Sequence, residues 1–573
     1  MERSKAIITL IFILNLVAFS AIGAKVSKRK YTIFDQKIEI QRDLHQSPEK
    51  KNIYRFENPE VAIKLLQLLD PIPNLKRDYS KLCSVRRDPG YCLKAHQALV
   101  KDPDFFFTNL TFMTDYHRKS LVRTDVIPAI GKEVNPIWNY RSARREDNPI
   151  SPQLNNIFTK IQITSFLQLG VHMGCITQNY NHIPGISILT RKDSVALAGQ
   201  AYDEKYKFKP HCFNGDKFFP ETWVLSRRSQ CESWFKYINS KEYEEEKKKK
   251  VIVFIRKVSS GVHRGNGVEP VNAEEESSLR DLYKNGTACG QIRHGYLVQR
   301  YLHNPLLVYG HKFDFRVYMM IASTNPLIVY YHDGFLRVSL FKYNVESNEK
   351  GMHLTNTAQS DKVFKKKAHQ ERLGMNETEL RNFQMWNYTR LAKYLLEHKR
   401  IDSLDWIDTY LRPSFAHAMQ HLIRMTKHAY SKRPNVWELF GVDFMLDQDL
   451  NLWFIECNTG PVLKATNREK GQIMKTMLKD MFEIVNAQLR SRLKRVIGFV
   501  NELTREGVLK LSNSGTVELP NLAQKRERFR ELLVNKVEKE FAVSPNNSWM
   551  KIVDESLAGP GRYNGMFSSD CFD

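Results

Sequence analysis

The chain has 573 residues, with 87 Lys+Arg against 63 Asp+Glu, a formal charge of +24. At 42% hydrophobic and 26% charged residues the composition is globular, which excludes disorder, collagen and a polytopic membrane protein. The positive surplus predicts a polyanionic partner: nucleic acid, anionic lipid, a nucleotide or an acidic protein surface.

Arg3 and Lys5 precede an apolar run from Ala6 to Ala24, and Lys25, Lys28, Arg29 and Lys30 follow it. Residues 1–24 therefore read as a secretory signal or as a membrane anchor. The Lys/Arg flank favours an anchor with the bulk of the chain in the cytosol, and a secretory lumen is the alternative. Residues 25–150 carry no chemical motif and read as an N-terminal extension, ordered around the helical pattern Val61, Leu65, Leu66, Leu68 and Leu69. Eight cysteines are scattered without a CxxC pair, so they specify neither zinc nor a disulfide framework. Five N-x-S/T sequons, at Asn109, Asn285, Asn376, Asn387 and Asn546, are unremarkable for this length.

Further along, KEYEEEKKKK (241–250) predicts a solvated helix with Glu-to-Lys pairs four residues apart. Strands are predicted at 251–257, 296–302, 313–323 and 327–332, with an Asp333–Gly334 hairpin turn leading into 335–341. Helical patterns fill 377–430, strands follow at 439–447 and 452–458, and the remainder from about Lys475 is helical and basic. Strands interspersed with helices and antiparallel hairpins define an α+β (mixed α/β) protein.

The chemistry concentrates in LFGVDFMLDQDLNLWFIECN. A turn over Gln448–Asn451 sets Asp443 opposite Glu456 and Gly441 opposite Asn458, so Asp443, Glu456 and Asn458 share one face. Two carboxylates side by side among Val442, Phe444, Trp453 and Ile455 repel, and a divalent cation resolves the conflict. Hard oxygen donors suit Mg²⁺, which bridges to phosphates. The strand ending at Lys257 runs into a loop with Gly261, Gly265 and Gly267, where backbone N–H groups can approach an anion. In HKFDFRVY (311–318), Lys312, Asp314 and Arg316 alternate onto one face, and Arg337 lies on the partner strand. That cluster suits a terminal phosphate or a carboxylate and its acyl phosphate.

In this order the segments NHIPGISILTRKD (181–193), FFPETWVL (218–225), KVSSGVHRGNG (257–267), LVQRYLHNPLLVYGHKFDFRVYMMIASTNPL (297–327), HLTN (353–356) and ELFGVDFMLDQDLNLWFIECNTGP (438–461) resemble the tubulin–tyrosine ligase-like family. The resemblance implies an ATP-grasp fold over 151–490, followed by a basic helical tail over 491–573. It implies that Lys192 and Lys257, with Gly265 and Gly267, contact ATP phosphates, and that Gln299, Arg300, Tyr301 and Leu302 form the hinge beside adenine. By the same resemblance His353, Thr355 and Asn356 belong to a loop closing the site. Lys312, Asp314, Arg316 and Arg337 surround the terminal phosphate and substrates, and Asp443, Glu456 and Asn458 bind Mg²⁺. The sequence departs from the family pattern at Val258, Arg300 and Cys457 and in a glycine loop one residue longer.

The implied activity is ATP-dependent amide formation through an acyl phosphate, joining a free amino acid to glutamate side chains of acidic tubulin tails. Glutamate is the favoured donor and glycine the runner-up. The partner is thus tubulin or the microtubule, not nucleic acid, with possible membrane association through residues 6–24. The alternative class is a non-catalytic, microtubule-binding module.

Overall fold

A computed structural model describes residues 54–70, 183–212, 218–259, 267–292, 295–347, 374–434, 436–461 and 467–568, with short pieces at 96–140, 350–353, 355 and 571. Residues 6–24, Gly265 and Asn356 lie outside the described residues. Among the described residues no helix is long and apolar enough to cross a membrane.

Helix α1 (Pro59–Leu69) starts at Asn58, whose side chain accepts from the Val61 N–H, and has proline in its first turn, where no amide hydrogen is needed. Its buried Leu65, Leu66 and Leu69 are three of the predicted apolar positions. After helix α2 (Lys192–Tyr206) comes a four-stranded antiparallel sheet of β1 (Thr222–Val224), β2 (Phe254–Val258), β3 (Val268–Pro270) and β4 (Tyr296–Arg300), in the order β1–β4–β2–β3. Helices α3 (Arg228–Ile238), α4 (Lys241–Lys249) and α5 (Ala273–Leu282) contribute Trp234, Phe235, Tyr243 and Leu279 to a core shared with Trp223, Phe254 and Val298 of the sheet.

The larger sheet contains β5 (His311–Thr324), β6 (Leu327–Lys342), β7 (Met385–Trp386), β8 (Glu438–Leu446), β9 (Leu452–Thr459) and β10 (Met550–Asp554). Its path is β7–β6–β5–β8–β9, with β10 also on β6. Alternation along β5 sorts its residues between two cores. Phe313, Phe315, Val317, Met319 and Ile321 pack with Phe415 and Met419 of α6 (Arg412–Thr426). Tyr318, Met320 and Ala322 meet Met474, Met477 and Met481 of α7 (Arg468–Arg505), where α1 and α8 (Leu522–Leu532) also pack. Lys312, Asp314 and Arg316 continue the face of Tyr318 and Met320.

Asp333–Gly334 is not a hairpin turn. The chain reverses at Asn325–Pro326, between β5 and β6, and β6 passes through Asp333–Gly334 with a slip in register between His332 and Phe335. Asp-Gly is locally indistinguishable in the two roles, and packing decides. A Cβ on Gly334 would lie 1.6 Å from the Arg316 carbonyl oxygen, while Arg412 Nε holds the Asp333 carboxylate at 3.0 Å. The bulge is followed by Arg337 directly opposite Asp314.

The β8–β9 hairpin has the expected register at its chemical end, with Asp443 opposite Glu456 and Gly441 opposite Asn458. A slip after Asp443 then pairs Leu446 with Leu452, so the turn spans 447–451 rather than starting at Gln448. The Asp447 carboxylate explains the difference. It accepts from the backbone of Asp449 (2.9 Å) and Asn451 (2.8 Å) and from Trp453 Nε1 (3.0 Å).

Candidate active site

Four neighbouring strands deliver the charged row. Strand register places Arg337 against Asp314, Arg316 against Asp443, and Asp443 against Glu456. Arg337 grips Asp314 through two bonds of 2.7 and 2.6 Å and reaches Asp443 at 2.8 Å. Arg316 donates twice to Asp443, at 2.5 and 2.9 Å. The Thr355 hydroxyl adds a 2.6 Å bond to Asp314. Burial opposes the Arg337 charge, but Asp314 and Asp443 more than offset it and hold the guanidinium firmly protonated. The expected repulsion between Asp443 and Glu456 is therefore relieved in the protein itself, with a cation on each carboxylate.

Lys192 opens α2 and lies 3.0 Å from Glu456, which also accepts from Asn458 Nδ2 at 2.9 Å. Burial would raise the Glu456 carboxyl, yet Lys192, Asn458 and Lys257 bring it down to about 2. Lys257, at the end of β2, is buried with its ammonium 2.5 Å from the Gln299 carbonyl, and Gln299 in turn donates to Thr222 Oγ1 at 2.9 Å. Burial lowers Lys257 to about 8, with Glu456 opposing the shift and Lys192 adding to it. Lys312 is likewise buried and lowered to about 8, with Asp314 opposing and Lys257 adding. Its ammonium sits 3.3 Å from the Tyr301 hydroxyl, which bonds His353 Nδ1 at 2.7 Å and Tyr343 at 3.2 Å.

Five cations thus face three carboxylates, and among the described residues the two without an ion pair are Lys257 and Lys312. A surplus of positive charge in a dry cleft is an anion site. Lys192, Lys257, Gln299 and Glu456 line a narrow void of about 20 Å³ between the two sheets, beside a larger cavity of about 710 Å³ bordered by Phe219, Trp223, Tyr301, Leu302 and Trp453. The donor set fits Mg²⁺. Glu456 takes one protein donor on each oxygen, Asp443 Oδ1 takes one, and Asn458 spends its amide nitrogen on Glu456, so hard oxygen lone pairs remain on one face.

Arg300 also borders the larger cavity. Alternation turns it away from Gln299, and its guanidinium pairs with Glu221 at 2.8 Å and Glu246 at 2.7 Å over the Tyr237 ring. Glu246 belongs to the helix predicted as a solvated face, so that face also anchors β4. Gly267 has a left-handed φ of +70°, and its carbonyl accepts from Val258 N at 2.9 Å, closing the glycine loop. Sequence reasoning assigned no role to Thr222 or Tyr343. Their contacts arise from strand pairing and leave no local signal.

Two antiparallel sheets meeting at a lysine-lined cleft, with paired carboxylates on the hairpin of the larger, define an α+β protein of the ATP-grasp class. The chain belongs to the tubulin-tyrosine ligase family, whose model matches residues 171–493, more than half of it. It is 28% identical over 330 residues to the rat protein polyglycylase TTLL10, covering 55% of this chain and 45% of that protein. It is also 28% identical over 338 residues to the tubulin polyglutamylase TTLL7 of Xenopus tropicalis, covering 56% and 33%. With the human inactive polyglycylase TTLL10 it shares 25% over 290 residues, 49% and 40% of the two chains. The chain spans less than half the length of each of these relatives.

Proposed function

We propose that the protein is an ATP-dependent ligase that forms an amide between a free amino acid and side-chain carboxylates of an acidic protein segment, tubulin being the example in the name of one relative. The observation that carries this reading is the row of ion pairs across three strands beside two buried lysines without carboxylate partners among the described residues.

Lys257 and Lys312 bind and neutralise the nucleotide phosphates, and Arg316 and Arg337 hold the acceptor carboxylate toward the terminal phosphorus. The acceptor oxygen bonds that phosphorus as the bond to ADP breaks, giving an acyl phosphate. The amine nitrogen of the incoming amino acid then bonds the acyl carbon, phosphate leaves, and the amine proton passes to it. Mg²⁺, when held by Asp443, Glu456 and Asn458, supplies charge neutralisation to the phosphates. The +24 charge favours the encounter with an acidic segment.

Glutamate is the first reading of the donor and glycine the second. Relatives named polyglycylases support glycine, and so does the charge balance, since a glutamate donor brings a carboxylate that needs one further cation. Mass spectrometry of a glutamate-rich peptide incubated with the protein, ATP, Mg²⁺ and mixed amino acids tests both readings. A mass increment that requires ATP is expected and identifies the donor. ATP-independent binding with no increment, unchanged in Glu456→Gln, refutes the enzyme and leaves a binding module.

A further inference from the structure

Four of the five cysteines among the described residues are joined in pairs. Cys212 bonds Cys571 and Cys231 bonds Cys289, with Cα atoms 5.3 and 5.7 Å apart, the ordinary reach of a cystine. All four are buried, and Cys457 is a buried free thiol. The surroundings of both bridges are built for them. Arg424 of α6, itself buried, donates to the backbone carbonyls of both members of the first pair, Cys212 at 3.2 Å and Cys571 at 2.9 Å. That bridge ties the turn after α2 to a segment 359 residues later.

The second bridge depends on close backbone approach. Gly286 and Gly290, with φ of +98° and +83°, lay the chain against α3, where a Cβ would come within 3.0 Å of Phe235 or 3.1 Å of Arg228. Cys289 therefore lands on Cys231. Beside this turn the sequon asparagine Asn285 is exposed, as are Asn376 and Asn546. Asn285 Oδ1 accepts from Arg280 at 2.9 Å, and Asn376 Oδ1 caps a helix at 2.9 and 3.0 Å. In each the folded chain uses the amide oxygen and leaves Nδ2, the nitrogen that carries a glycan, at the surface.

Buried cystines at this density belong to oxidising compartments and are rare in the cytosol. We infer that the mature protein is a disulfide-stapled, N-glycosylated ligase assembled in an oxidising compartment, and that its acceptor is a carboxylate-rich protein met there in place of cytosolic tubulin. The acceptor clause rests on the ligase reading above; the compartment does not. Each bridge forms by exchange, a thiol pair passing its electrons to a protein disulfide oxidant of the compartment and releasing its protons. Of the two orientations open to residues 6–24, this selects delivery of the folded part across the membrane. The competing reading is a reduced chain in which His211, Cys212 and Cys571, whose ligand atoms lie within 4.8 Å of one another, hold a metal.

The experiment expresses the full chain in intact eukaryotic cells, quenches with acid, alkylates with N-ethylmaleimide and maps unreduced peptides by mass spectrometry. Linked peptides Cys212–Cys571 and Cys231–Cys289 are expected, together with glycopeptides at Asn285, Asn376 or Asn546 that disappear on N-glycanase treatment. The bridges decide the matter, and linked peptides uphold the compartment with or without glycans. Alkylation of all four cysteines, or zinc bound through Cys212 and Cys571, overturns it. Ligase activity of the same preparation is scored separately. A bridged but inactive chain refutes the reaction, and an active chain with four free thiols refutes the compartment.

Discussion

Lys257→Met is expected to stabilise the nucleotide-free protein while abolishing its response to nucleotide. The ammonium is buried, has no carboxylate partner among the described residues, and is lowered from 10.5 to about 8 by that burial. The gap corresponds to about 3 kcal/mol by which the charged form disfavours the folded state. Methionine fills a similar volume without charge but leaves the Gln299 carbonyl, now 2.5 Å from the ammonium, without its donor, which costs about 1–2 kcal/mol. The net gain is about 1–2 kcal/mol, a rise of roughly 1–2 °C in melting temperature at neutral pH for a chain of this length. Between pH 8 and 10.5 the unfolded chain binds more protons at this site than the folded one, so parental stability rises with pH there. The penalty is fully present below that window and gone above it, so the advantage of the variant shrinks as pH increases. Thermal melts of both proteins at neutral and alkaline pH, with and without MgATP, check this. Saturating MgATP should stabilise the parent by about 3 kcal/mol at a hundredfold excess over Kd and leave the variant unmoved. A variant that melts below the parent at neutral pH, or that keeps the MgATP response, refutes the reasoning.

Glu456→Gln should fold normally and lose ligase turnover by a factor on the order of 10²–10³, measured as product formed per enzyme per unit time with the acidic peptide. Arg337→Met leaves Asp314 a buried carboxylate without its arginine and Asp443 with Arg316 alone, and urea unfolding should show a loss of about 3–5 kcal/mol. Gly334→Ala sets a methyl group 1.6 Å from the Arg316 carbonyl oxygen, so soluble yield should collapse, whereas the same change at Gly498 of α7, where nothing lies within 4 Å of the added carbon and the backbone is helical, should leave yield largely intact.

The sequence carried the parts of this site that depend on alternation along a strand. Asp443 meets Glu456 because two half-buried runs of opposite direction are joined by a short turn, and residue type then marks the face. The same reasoning grouped Lys312, Asp314 and Arg316. It misread Asp333–Gly334 because a bulge and a hairpin turn ask the same of those two residues, and the choice is made by Arg316 and Arg412, close in space but distant in sequence. The far end of the β8–β9 hairpin moved for a similar reason, through one carboxylate, Asp447, folding the turn around itself. The ion-pair partners of Arg300 were out of reach. Glu221 arrives from the residue before β1 and Glu246 from α4, and only tertiary packing brings them to one place.

The division of one strand face explains why stability and chemistry can coexist in the larger sheet. On β5, Tyr318, Met320 and Ala322 lie beneath α7 and are held by apolar burial, which requires no particular partner. Two to six residues earlier the same face leaves that cover and becomes Lys312, Asp314 and Arg316. Of these, Asp314 and Arg316 find their counterparts on β6 and β8, not on β5. Arg316 pairs with Asp443, and Arg337 joins Asp314 to Asp443 across three strands, so removal of Arg337 leaves Asp314 without an arginine and removal of Asp443 leaves Arg316 without a carboxylate. The row is fixed before any substrate arrives, as charge stabilisation without reorganisation requires. The Lys192–Glu456 pair is different, because it spans from α2 to β9 and borders a void of only about 20 Å³. On the proposed ligase reading, a phosphate entering beside the pair would draw Lys192 from the carboxylate and free Glu456 for the cation that accompanies the nucleotide.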